Sequence, residues 1–169
     1  MRHLNTYPIL ILLLLSFGCH KKDSVVNNSV TPNDFLSEKK YDKLIVELQY
    51  ITGYQPTPAT VDNLKAFLSD RLNKSGGITI IQTAIASPGH SSYTLDAIKN
   101  VENAFLTQNT TGKTLTAYFL FADADYASNS GNAKVLGMAY GNSSMVIFAK
   151  TIHDYSGGLT QPSVTTVES

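Results

Sequence analysis

Lys43–Ile51, Lys-Leu-Ile-Val-Glu-Leu-Gln-Tyr-Ile, is a β-branched and aromatic run of strand length, and a helical period follows it within a few residues. Pro56 and Pro58 break the strand. Val61, Leu64, Phe67, Leu68 and Leu72 then recur at helical spacing, with Thr57 or Thr60 available to cap the start and residues 73–77 to stop it. A second strand is predicted over 77–85, ended by Ser87, Pro88 and Gly89. A second amphipathic helix puts Leu95, Ile98, Val101 and Phe105 on one face and Asp96, Lys99, Asn100 and Asn103 opposite. Residues 115–121 read as a third strand, apolar nearly throughout and therefore central. Strands at 135–140 and 145–152 flank the turn residues 141–144 as a hairpin. The order β-α-β-α-β-β-β predicts an α/β fold. Two βα units of this length close by right-handed crossovers, so helices should cover a twisted mixed sheet whose first strands are parallel.

Upstream of this domain, Arg2 and His3 precede an apolar run at 9–15, too short to span a bilayer, and Ser16, Phe17 and Gly18 lead to Cys19, the chain's one cysteine. The order is that of a secretory signal peptide. With Gly18 in the small position, the segment resembles a bacterial lipobox, which implies that residues 1–18 are removed and that Cys19 is lipidated. Its partner is then membrane lipid, and the location is the cell envelope, at the outer membrane. Three acyl chains on one cysteine exceed what stable anchoring needs. The alternative is a plain cleavage site that happens to have Cys19 beside it. Residues 19–40 read as a polar tether, and residues 41–169 as the folded domain.

Thirteen basic residues balance thirteen acidic ones, so no basic footprint argues for nucleic acid. A lipidated Cys19 leaves no thiol for a disulfide, a cysteine metal site or thiol catalysis. His90 and His153 are the two histidines within the domain, far apart and without partners at ligand spacing. Asp123 and Asp125 end the third strand, where ligands gather in α/β sheets, but they lack the further oxygens of a Ca²⁺ loop and read as solvated. They also lack a nearby nucleophile or electrophile for acid/base work. Residues 109–113 lack the pattern of a phosphate loop.

Three stretches, residues 44–50, 117–123 and 135–152, resemble the front half of zincin-type metalloproteases found as lipoproteins in Bacteroidetes-like bacteria, related in fold to archaemetzincins and other metzincins. The resemblance implies a zincin-like twisted sheet backed by helices. A helix carrying His-Glu-x-x-His then supplies two Zn²⁺ ligands one turn apart and the Glu that activates water. It also implies an edge strand that aligns an extended peptide or protein substrate, here at Ala139, Tyr140, Gly141 and Asn142.

Residues 161–168 look like the run-in to such a helix, but no His-Glu-x-x-His occurs in the 169 residues. Catalytic and metal residues therefore have no positions here, and zinc belongs to the family rather than to this chain. The expectation is a lipid-anchored, metallopeptidase-like domain that is catalytically incomplete and truncated before its zinc helix. The alternative is a non-catalytic surface lipoprotein that binds a peptide, a glycan or a partner protein.

Overall fold

A computed structural model describes residues 30–156. The three strands predicted first are present: β1 (Lys43–Ile51), β2 (Ile78–Ile85) and β4 (Thr114–Phe121), the short β3 (Ser92–Tyr93) lying between the last two. The remaining strands are β5 (Asp125–Tyr126), β6 (Gly137–Tyr140) and β7 (Ser144–Ile147). Four helices accompany them: α1 (Pro32–Leu36), α2 (Pro58–Arg71), α3 (Leu95–Phe105) and α4 (Ala149–Tyr155).

The main sheet runs β2-β1-β4-β7-β6, with β4 at its centre as its apolar sequence required, and β3 and β5 form a separate parallel pair. All neighbours in the main sheet are parallel except β6, which returns antiparallel beside β7. β2 lies on one side of β1 and β4 on the other. Two right-handed crossovers in opposite directions must therefore put α2 and α3 on opposite faces.

The core agrees. Leu44, Val46, Leu115 and Ala117 pack with Leu68 and Leu72 on the α2 face, whereas Tyr118, Leu120 and Val146 pack with Ile98 and Val101 of α3. Leu48 and Leu120 are fully buried, each burial being worth about 2 kcal/mol. The Thr57 hydroxyl caps α2 by accepting the Thr60 N–H at 2.9 Å, and Thr94 caps α3 through the Ala97 N–H at 3.1 Å.

Four readings of the sequence need correction. Residues 145–152 are not one strand: β7 stops at Ile147, and the chain turns helical with the Ile152 N–H on the Phe148 carbonyl. Ala149 and Ile152 are buried at helical spacing, so the β-branched Thr151 and Ile152 serve a helix here. Phe67 and Phe105, assigned to core-facing stripes, are 51% and 37% exposed, and the Arg71 guanidinium lies over the Phe67 ring.

The folded part also begins before Tyr41. Val30 is buried in the core, α1 is capped by Thr31 and Asp34, and Lys74 donates to the carbonyls of Asp34, Ser37 and Tyr41 at 2.6, 2.8 and 2.8 Å. Desolvation holds the Lys74 amine below its ordinary pKa, opposed by the charge of Asp34. Hydrogen bonding from the Thr31 backbone holds the Asp34 carboxyl below its ordinary value. Only residues 19–29 of the expected tether, Cys19 among them, fall outside the described residues, as do residues 161–168.

Candidate functional site

Polar groups within reach of another molecule lie at the carboxyl end of the sheet and along the outer edge of β6.

At the carboxyl end, β4 runs out through Ala122 to Asp123. The β3–β5 pair brings Tyr93 alongside, with Ser92 in register with Asp125, and the Ala127 N–H meets the Tyr93 carbonyl at 2.8 Å. Asp123 is consequently shared. Its Oδ1 accepts the Tyr93 hydroxyl at 2.7 Å and its Oδ2 accepts the Ser87 hydroxyl, while Ser87 Oγ takes the Gly89 N–H at 3.1 Å. Burial, reinforced by the Asp123 carboxylate, raises the Tyr93 phenol well above its ordinary range.

His90 sets its ring edge-on to Tyr93 at 5.2 Å. Asp125 turns away to accept the Thr151 hydroxyl at 2.6 Å, which fastens α4 to the β3–β5 pair. Asp123 and Asp125 thus serve different partners and do not converge on one ion. They are not simply solvated, as the sequence reading had them, because each ties two distant segments together. His153 lies at the end of α4 beside Asp154, with Nδ1 at 3.5 Å from a carboxylate oxygen.

The β6 edge follows from the direction of its hydrogen bonds. The Phe148 N–H meets the Leu136 carbonyl at 2.8 Å. The period of two then turns Met138 and Tyr140 toward β7, and Gly137 and Ala139 outward. Both outward residues are exposed. A Cβ at Gly137 would lie 3.0 Å from the Val146 carbonyl, a tight contact that the backbone there would have to relieve.

Of the four residues expected to form this edge, Ala139 offers its backbone outward, and Tyr140 pairs inward with its ring buried. Gly141 (φ +62°) and Asn142 lie in the turn that leads to β7. Register places that turn at the level of Tyr118, whereas Gly137 sits at the level of Phe121, the end of β4 nearer Asp123.

A third polar cluster is internal. On the α3 face, Glu47 is fully buried and accepts from the Thr107 N–H (2.9 Å), the Thr107 hydroxyl (3.0 Å), the Gln108 N–H (2.7 Å) and Gln49 Nε2 (2.9 Å). The Gln49 Oε1 accepts the Tyr118 hydroxyl at 2.9 Å. Nearby, Ser144 donates to Glu102 Oε1 at 2.7 Å. The buried Tyr140 hydroxyl lacks a hydrogen bond of good geometry, and burial together with the Glu102 charge raises its pKa. This cluster is saturated at Glu47 and serves the fold.

The sequence reading missed Ser87, Tyr93 and Thr151 as carboxylate partners and passed over Glu47 and Gln49. For Glu47 and Gln49 a signal existed: two polar residues alternate on one face of an otherwise apolar strand. Among the described residues no three His, Cys, Asp or Glu side chains are grouped to hold a metal ion. Among them, too, no helix is long and apolar enough to cross a membrane. Compared with family models, curated proteins and solved structures, the chain matches none of them.

Proposed function

We propose that this is the peptide-binding part of a zincin-like peptidase domain, carried on a lipid-anchored chain, with extended peptide pairing along the outer edge of β6. The observation that carries the reading is the single antiparallel strand at the end of an otherwise parallel sheet, with the backbone of Gly137 and Ala139 turned outward and Gly137 level with the carboxyl end of β4 across β7. An extended segment laid there would form main-chain hydrogen bonds without disturbing the ladder to β7. In this reading the described residues bind and align the peptide, and the zinc ligands belong to the His-Glu-x-x-His helix that the resemblance implies. The lipid anchor at Cys19 would hold that edge near the envelope surface.

Two measurements test the proposal. Translating the gene beyond the Ser169 codon and assaying that product for zinc-dependent peptide cleavage tests the peptidase ancestry. A downstream His-Glu-x-x-His with such cleavage supports it. Its absence leaves the second reading, a non-catalytic lipoprotein that binds through the same edge. Binding itself is tested with Ala139→Pro, which removes one outward N–H, against Ala139→Ser, which keeps it. Immobilised extended peptides should lose the proline variant and retain the serine variant, and equal retention of both would remove β6 as the binding edge.

A further inference from the structure

The opposite end of the sheet carries a second open edge of a different kind. β2 is eight residues long, Ile-Thr-Ile-Ile-Gln-Thr-Ala-Ile, with no charge, proline or glycine in it. Sheets ordinarily blunt such an edge with lysine, proline, a bulge or a very short strand, and β2 has none of these. Its register with β1 is unbroken from Ile78 to Ile85.

The carbonyls of Gly77 and Ile85 both turn toward β1, accepting from the Leu44 and Thr52 N–H groups at 3.1 and 3.0 Å. The period of two then turns the N–H and C=O of Ile78, Ile80, Gln82 and Ala84 outward, and no hydrogen bond meets them among the described residues.

We propose that β2 pairs antiparallel with β2 of a second copy of this chain, joining two sheets about a twofold axis at Ile81. Outward-facing residues must meet outward-facing residues, which restricts the register. Centring on Ile81 matches Ile78 with Ala84 and Ile80 with Gln82, each pair exchanging two hydrogen bonds. Between these, Thr79 meets Thr83, and Ile81 meets its own copy, in non-hydrogen-bonded pairs.

The strand suits itself in this register. Threonine faces threonine, isoleucine faces isoleucine, and the large Ile78 faces the small Ala84. No charge stands on the edge to repel a copy, and an isologous contact closes at two chains rather than growing into a fibre. β6 does not offer this, having four residues of which two face outward.

Cysteine cross-linking tests the register in the full chain carrying Cys19→Ser, so that one introduced thiol stands alone. Non-hydrogen-bonded antiparallel pairs bring Cα atoms to about 4.5 Å, within reach of a disulfide. Ile81→Cys should oxidise rapidly to a dimer. Thr79→Cys and Thr83→Cys should each fail alone, their like positions lying about 13 Å apart, yet cross-link when mixed. Gln82→Pro removes an outward N–H without touching the β1 ladder, and should raise the dimer dissociation constant at least tenfold in sedimentation equilibrium.

Equal cross-linking at all three positions would overturn the proposal. So would a failure of Ile81→Cys to cross-link in the full chain. If removal of residues 157–169 then restored the cross-link, the edge would belong to that segment instead.

Discussion

Glu47, in the middle of β1, accepts the backbone N–H of Thr107 at 2.9 Å across sixty residues of sequence. One carboxylate thereby holds the chain where α3 has ended, at a point where three more donors need an acceptor. Glu47→Ala deprives the buried Gln49 amide and the partly buried donors of Thr107 and Gln108 of their acceptor, so unfolding free energy should fall by about 2 kcal/mol in urea titrations. Glu47→Gln should fall less, because one oxygen remains. A loss below about 1 kcal/mol for the alanine variant would show that water replaces the carboxylate.

Asp123 joins the β2–α3 loop to the end of β4 through Ser87 and Tyr93. Tyr93→Phe removes one donor and should lower stability by about 1.5 kcal/mol, whereas Asp123→Ala removes the acceptor for both and should lower it by about 3 kcal/mol. The double variant should fall short of the sum, since both changes break the same bond. Full additivity in denaturant titrations would mean that the two residues do not interact.

Lys74 offers one donor to each of three carbonyls in the segment before β1. Lys74→Met keeps the stem and deletes the donors, which should free that segment before the rest of the domain unfolds. Trypsin should then cut after the exposed Lys39 and Lys40 much faster than in the parent chain, at a temperature where circular dichroism still reports the sheet. Unchanged cutting rates would show that Val30 and α1 hold the segment without the lysine.

Tyr93, Tyr118 and Tyr140 are buried, and burial raises all three phenol pKa values. The folded state keeps these protons while the unfolded chain releases its own above about pH 10, so folding binds protons there. Stability from these residues is complete below pH 10 and is lost as pH rises beyond it, by about 1.4 kcal/mol per unit for each tyrosine. Ionisation of these three phenols should coincide with loss of the sheet when absorbance and circular dichroism are followed together above about pH 10. Ionisation of all three in a protein that keeps its sheet would refute this.

β1, α3 and the central β4 were readable because each is set by a local period or a continuous apolar run. The hairpin at residues 141–144 was readable from its turn chemistry. α4 was not, because Thr151 and Ile152 favour strands on their own, and what makes them helical is the anchoring of Phe148 in a core formed elsewhere. The packing of Val30 was hidden for the same reason, its neighbours being Leu44 and Leu115. Of the candidate site, the outward edge at Ala139 was partly legible. The Asp123 partners were not, since thirty and thirty-six residues separate them from the carboxylate and no local pattern records such a meeting.

The pairing of β1 with both β2 and β4 also orders events in time. Leu44 finds Ile78 after one crossover but must wait for Leu115 until α3 has been made. On a ribosome releasing about 5–20 residues per second, β1 therefore spends seconds as an apolar strand with one side unfilled. Long-range parallel pairing is slow to form even once the chain is complete. The interval between the emergence of β1 and the arrival of β4 is when this chain is most exposed to misassembly, and a chaperone that shields extended apolar segments would act on it there.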